Sequence, residues 1–119
     1  MTKINIFSNS TEFTNFKKGE IIFCEGDHGE LAYAVKDGEV VIKIGEQIID
    51  HVLPGGIFGE MALIDQGPRS ASVVATTDCQ LVPLTERQFT LLIQQTPYFA
   101  LDVMRVMAER LRRRDATIK

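Results

Sequence analysis

The residues best suited to chemistry lie in one segment, Gly55-Gly56-Ile57-Phe58-Gly59-Glu60-Met61-Ala62-Leu63-Ile64-Asp65-Gln66-Gly67-Pro68-Arg69-Ser70-Ala71-Ser72-Val73. Its glycines let the backbone approach a ligand closely, and a short helical turn starting near Glu60 would point free N–H groups outward, where they favour an anion. Pro68 restricts the approach to Arg69, whose planar guanidinium forks onto phosphate oxygens, and the Ser70 hydroxyl adds a neutral donor. Glu60 has the wrong charge for a phosphate site, but a carboxylate suits a sugar hydroxyl. A negative and a positive residue in one segment can thus read two different parts of one ligand.

The flanking elements that must hold this segment are strands. From Glu20 to about Leu84 short β-type runs alternate with glycine turns: Ile21-Ile22-Phe23-Cys24, the turn Glu25-Gly26-Asp27-His28-Gly29, Leu31 to Val35, Val40 to Ile44, and Gln47 to Leu53. Asp37-Gly38 predicts a tight hairpin between the third and fourth of these, because both residues tolerate positive φ. Gly45-Glu46 makes the next turn and Pro54-Gly55-Gly56 stops the following strand. Two further strands, Ala71 to Ala75 and Cys79 to Leu84, come after the segment. Several short strands with no long helix between them predict an antiparallel roll or barrel.

After Leu84 the apolar period changes from two to about 3.6, the mark of helices. Thr85-Glu86-Arg87-Gln88 has the capping-box form, with Phe89, Leu92 and Ile93 on one face. Thr96 can cap and Pro97 can open a second helix, from about Tyr98 to Arg114, ending in arginines that its dipole favours. Its apolar stripe of Ala100, Val103, Met104, Met107 and Leu111, widened by Phe99 and Val106, exceeds what one partner surface needs. Either a second subunit meets the surplus, or one broad core contact uses it all. Met1 to Asn15 reads as a short helix or an extended arm.

Composition narrows the class. The 119 residues are 45% hydrophobic and 24% charged, with a formal net charge of -3, which suits one globular domain and gives no general attraction to nucleic acid. No signal peptide and no run of about 18 apolar residues is present, so a cytoplasmic protein without a membrane segment is expected. Cys24 and Cys79 lack metal or redox spacing and read as buried free thiols. His28 and His51 read as surface histidines, and Tyr33, Phe58 and Phe89 as core. Nothing resembles an activated nucleophile, an acid–base pair or a metal site, so no enzyme is expected.

Phe58-Gly59-Glu60-Met61-Ala62-Leu63, the spacer and Pro68-Arg69-Ser70-Ala71 resemble the phosphate-binding cassette of the cyclic nucleotide-binding domain family, which includes the bacterial catabolite activator proteins and the regulatory subunits of protein kinase A. The resemblance extends to Gly19-Glu20-Ile21-Ile22, Glu25-Gly26-Asp27, Tyr33, Gly38-Glu39-Val40 and both C-terminal helices, and as a signature it far exceeds a lone glycine motif.

The resemblance implies a mainly β fold: an antiparallel β-roll (double-stranded β-helix) over about 16–84, flanked by helices over about 85–95 and 97–114, in one domain spanning 1–119. It implies that Arg69 pairs with the cyclic phosphate and Glu60 accepts the ribose 2′-hydroxyl. Phe58, Gly59 and the backbone N–H groups around Met61 and Ala62 would line the site, with Ser70 and Ala71 completing the phosphate wall. A small hydroxyl residue at Ser70 points to cyclic AMP rather than cyclic GMP. Arg110 falls where the family caps the base, although an exposed helix-end arginine is an equal reading. No prosthetic group is implied.

A hinge near Leu63 would let the C-terminal helices swing over bound nucleotide. The element before the roll is shorter than the family's and no output domain is encoded, so the signal is expected to leave through the last helix, a homodimer built on it, or an unknown effector protein. The rival reading is a ligand-free roll serving as an interaction scaffold.

Overall fold

The computed structural model describes residues 12–64 and 67–118, the last five of these as backbone only. The expectations for Met1 to Thr11, and the Asp65 and Gln66 part of the spacer, lie outside the described residues. Among the described residues eight strands form two four-stranded antiparallel sheets. The first sheet runs in the order β1 (Thr14–Phe16), β8 (Cys79–Leu84), β3 (Ala32–Asp37), β6 (Ile57–Phe58); the second runs β2 (Ile21–Phe23), β7 (Ser72–Ala75), β4 (Val40–Ile44), β5 (Gln47–Val52). The described helices are α1 (Met61–Ile64), α2 (Glu86–Gln95) and α3 (Pro97–Ile118). This is the expected antiparallel β-roll with C-terminal helices. No described helix is long and apolar enough to cross a membrane.

The hairpin expected at Asp37-Gly38 does not form. β3 pairs with β6 and β8, whereas β4 pairs with β5 and β7, so the chain turns a corner from one sheet into the other at Gly38. Gly38 has φ +86°, and a Cβ there would overlap the Asp78 carbonyl oxygen and lie 2.9 Å from the Cys79 Cα and Sγ. The glycine serves the close crossing of two backbones. By contrast Gly45-Glu46 does close a two-residue hairpin, joining Ile44 to Gln47.

Period-two burial divides the apolar side chains into two clusters. Val35, Phe58 and Leu81 from the first sheet meet Val40, Ile42, Val52 and Val73 from the second. On the other face of the first sheet Ala32, Ala34, Ile57, Val82 and Leu84 pack against Leu63 of α1, Phe89 of α2, and Phe99, Val103 and Val106 of α3. Fully buried side chains such as Phe58, Phe99, Ile57 and Leu81 each contribute about 1.5–3 kcal/mol relative to exposure.

The helix signals hold at their starts. The Thr85 hydroxyl accepts from the Gln88 backbone N–H at 3.2 Å and the Gln88 side chain accepts from the Thr85 N–H at 2.9 Å, completing the capping box. Pro97 opens α3, but the helix continues to Ile118, beyond the expected end at Arg114. One broad core contact does not use the whole apolar stripe of α3: Met104 and Leu111 are exposed, together with Tyr98 and Leu101, and so is Ile93 of α2. Cys79 is buried, donating to the Glu39 and Thr77 carbonyls, but Cys24 is exposed at the end of β2.

Candidate functional site

The segment singled out by its residue types links the two sheets: β6 leaves the first, α1 follows, and β7 enters the second. Beneath it lies a cavity of about 210 Å³ bordered by Phe58, Gly59, Glu60, Met61, Ala62, Arg69, Ser70, Ala71 and Arg110. The structure therefore brings every candidate residue to one place. Phe58 is fully buried in the cavity floor, stacked on Tyr33 at 5.4 Å between centroids. Ser70 and Met61 are exposed at the rim.

Arg69 is seated by the segment from Phe23 to Leu31. Its backbone N–H donates to the Asp27 carbonyl and its carbonyl accepts from the Gly26 N–H, both at 2.8 Å, so the Gly26-Asp27 turn fixes its main chain. The guanidinium lies over the Phe23 ring, 3.9 Å from the centroid, donates through Nη2 to the Leu31 carbonyl at 2.8 Å and through Nη1 to the Gly59 carbonyl at 3.3 Å. Only 8% of Arg69 is exposed, and its Nε has no hydrogen-bond partner among the described residues. Among the described residues Arg69 makes no ion pair. Burial pushes its pKa below the ordinary arginine value, against the opposing pull of Tyr33, Asp27 and Glu60. A buried cation with an orphaned donor beside a cavity is a ready partner for an anion.

Glu60 is 2% exposed and its carboxylate is held by α3. Arg110 donates through Nη1 to Glu60 Oε1 at 2.9 Å and Oε2 at 3.1 Å, through Nε to Asp50 Oδ2 at 3.1 Å, and through Nη2 to the Ile57 carbonyl. Arg110 is thus no exposed helix-end residue. Arg113, one of the arginines with which the sequence ends this helix, also reaches inward to Asp50. Asp50 is the residue sequence reasoning missed, being a single acidic position in a strand-like run. Ala62 differs in detail from expectation, because its N–H already donates to the Gly59 carbonyl at 3.3 Å.

The arrangement separates two chemistries in one cavity: a cation with a spare donor at Arg69, and a carboxylate with acceptor capacity at Glu60. Between them the walls are apolar, with Ile49, Met107 and Leu111 among the lining side chains.

Residues 13–96 match the family model described as the cyclic nucleotide-binding domain. The chain is similar to the Cyclic AMP receptor protein of Thermus thermophilus, 37% identical over 105 residues that cover 84% of this chain and 49% of that protein. It is also similar to a cGMP-dependent protein kinase of Plasmodium berghei, 39% identical over 77 residues, 63% of this chain and 9% of that protein. Among solved structures, the cAMP-bound form of the EAL enzyme Bd1971 superposes with a TM-score of 0.65 at 37% identity, covering 89% of this chain and 29% of that one. The chain spans less than half the length of these relatives. Family model, relatives and site geometry agree: the chain belongs to the cyclic nucleotide-binding domain family.

Proposed function

We propose that this chain is a non-catalytic regulatory module that binds cyclic AMP in the cavity under the β6–β7 connection and answers with its C-terminal helices. The observation that carries the reading is the buried, orphaned Nε of Arg69. A cyclic phosphate carries one negative charge and acceptor oxygens, which would satisfy that donor and compensate the buried cation. Glu60 would accept the ribose 2′-hydroxyl, Ser70 would add a donor at the rim, and Gly59, Met61, Ala62 and Ala71 would supply backbone and close packing around the phosphate. Phe58 shapes the floor.

Adenine is favoured over guanine. Among the described residues the polar lining side chains are Glu60, Arg69, Ser70 and Arg110; phosphate would occupy Arg69 and Ser70 and ribose Glu60, Arg110 is already held by Glu60, and the rest of the lining is apolar surface for the base. The cGMP-dependent kinase relative makes cyclic GMP the comparison ligand.

The cavity, about 210 Å³, is smaller than the roughly 300–1,000 Å³ of common ligand pockets, so entry would require α3 to shift. Leu63 supports a hinge, because it packs with Phe89, Phe99, Val103 and Val106 and so joins the cassette to both helices. The exposed Tyr98, Leu101, Met104 and Leu111 on α3 support a homodimer through that helix as the route to an effector, measurable by sedimentation.

Calorimetric titration of cyclic AMP and cyclic GMP into protein refolded to strip carried nucleotide tests the reading. Micromolar or tighter binding of cyclic AMP, lost in Arg69→Ala, is expected. A folded protein that takes neither nucleotide would instead leave an interaction scaffold.

A further inference from the structure

The two halves of α3 are held by different forces. Phe99, Val103 and Val106, all in its first ten residues, are buried in the outer apolar cluster. Beyond them Met107 is half-buried and Leu111 is 59% exposed. Met107 still packs against that cluster; beyond it, what ties the helix to the roll is charge: Arg110 and Arg113, three residues apart and so on one side of the helix, both donate to Asp50 of β5.

Asp50 shares the inward face of β5 with Val52, exposed His51 lying between them, and the strand is irregular just before it. Ile42 of β4 faces Asp50 and Lys43 faces Ile48, so Ile49 is an extra residue in the ladder. Strict alternation would send Ile49 and Asp50 to opposite faces. The bulge lets both be buried, Ile49 against the cavity and Asp50 toward α3. Bulges commonly re-aim side chains beside functional sites.

We propose that Asp50 is a positioning residue for nucleotide binding: it fixes the Arg110 guanidinium, and with it the C-terminal half of α3, over the cavity. Its binding readout rests on the cyclic nucleotide reading above. Arg110 divides its donors between Asp50 and Glu60, while Arg113 shares the same Asp50 carboxylate. Asp50 and Glu60, with Glu109 beside Arg113, satisfy both arginines, so that among the described cavity residues Arg69 is the cation with room for a ligand anion. Removing the charge of Asp50 leaves Arg113 with Glu109 of its own helix and deprives Arg110 of its Nε contact, so the guanidinium, still on Glu60 and the Ile57 carbonyl, loses the tie to β5 that fixes its place above the ligand.

The test uses the 119-residue chain and a double-mutant cycle of Asp50→Asn with Arg110→Ala, read by titration with cyclic AMP and by hydrogen exchange without ligand. Asp50→Asn should weaken binding about tenfold, Arg110→Ala at least as much, and the double variant no more than Arg110→Ala alone. Exchange should rise over residues 107–113 in Asp50→Asn while residues 99–103 stay protected. Wild-type affinity in Asp50→Asn, or losses that add, overturns the proposal. If Asp50→Asn does not fold, Arg113→Gln at the helix surface replaces it in the cycle with an expected loss of about threefold, and a loss independent of Arg110 overturns the proposal. A wild-type chain that binds no cyclic nucleotide refutes the functional reading alone; the exchange comparison then decides the role of Asp50, and unchanged exchange overturns it.

Discussion

Arg69 and Gly29 occupy adjoining space so tightly that a Cβ on Gly29 would overlap Nε, Nη2 and Cζ of Arg69. Those atoms are the far end of a flexible side chain. Gly29→Ala should therefore push the guanidinium off its seat rather than unfold the roll. The expected outcome is a loss of cyclic AMP affinity of about a hundredfold, with a melting temperature lowered by only about 4–8 °C for each kcal/mol of strain. Titration and thermal melts on the same sample check it, and a collapse of the fold would contradict it.

Gly38 is the opposite case. Its φ of +86° and the backbone atoms of Asp78 and Cys79 facing it leave no flexible neighbour to yield. Gly38→Ala should destabilise the whole roll by about 2–4 kcal/mol. Urea unfolding should show a lower midpoint at an unchanged slope, and wild-type stability would show that the inter-sheet corner can relax.

Burial lowers the pKa of Arg69, so the unfolded chain holds this proton more tightly than the folded one. The cost to folding is fully present below the folded pKa and is relieved only as pH climbs toward the ordinary arginine value. That window is strongly alkaline. Between about pH 6 and pH 9 Arg69 keeps its charge, and cyclic AMP affinity should stay constant within about twofold. A titration step inside that range would mean that another group controls binding.

The two cysteines should separate kinetically. Cys24 is exposed while Cys79 is 3% exposed and donates to two carbonyls. A thiol reagent should modify one equivalent at once and the second only on unfolding. Two fast equivalents would mean that the corner near Gly38 opens readily.

The regular parts of this fold were legible because their signals are local. Val40 to Ile44 and Cys79 to Leu84 run between turn residues and fold as strands over those spans, and the Thr85 capping box needs only four residues. β1 and β6 were missed because three and two residues are too few for a period to show. Asp37-Gly38 misled because positive φ serves a corner between sheets as well as a hairpin, and the choice depends on distant Asp78 and Cys79. The cassette from Phe58 to Ala71 was readable as a contiguous pattern. Asp50 was not, because its role comes from Arg110 and Arg113, 60 and 63 residues further along the chain, and no local pattern pairs residues at that distance.

The length of α3 has a mechanical consequence. Eight residues separate Arg110, held at the cavity, from Ile118 at the end of the helix, a reach of about 12 Å at 1.5 Å per residue. With the apolar seat of Phe99, Val103 and Val106 as fulcrum, the helix is a lever whose short arm touches the cavity. A tilt of about ten degrees would carry the tip about 2 Å further than the point where Arg110 is held. Measured from Val106, the same tilt would move the helix axis at Arg110 by about 1 Å and the tip by about 3 Å, so a displacement at the cavity would be roughly tripled at the end of the helix.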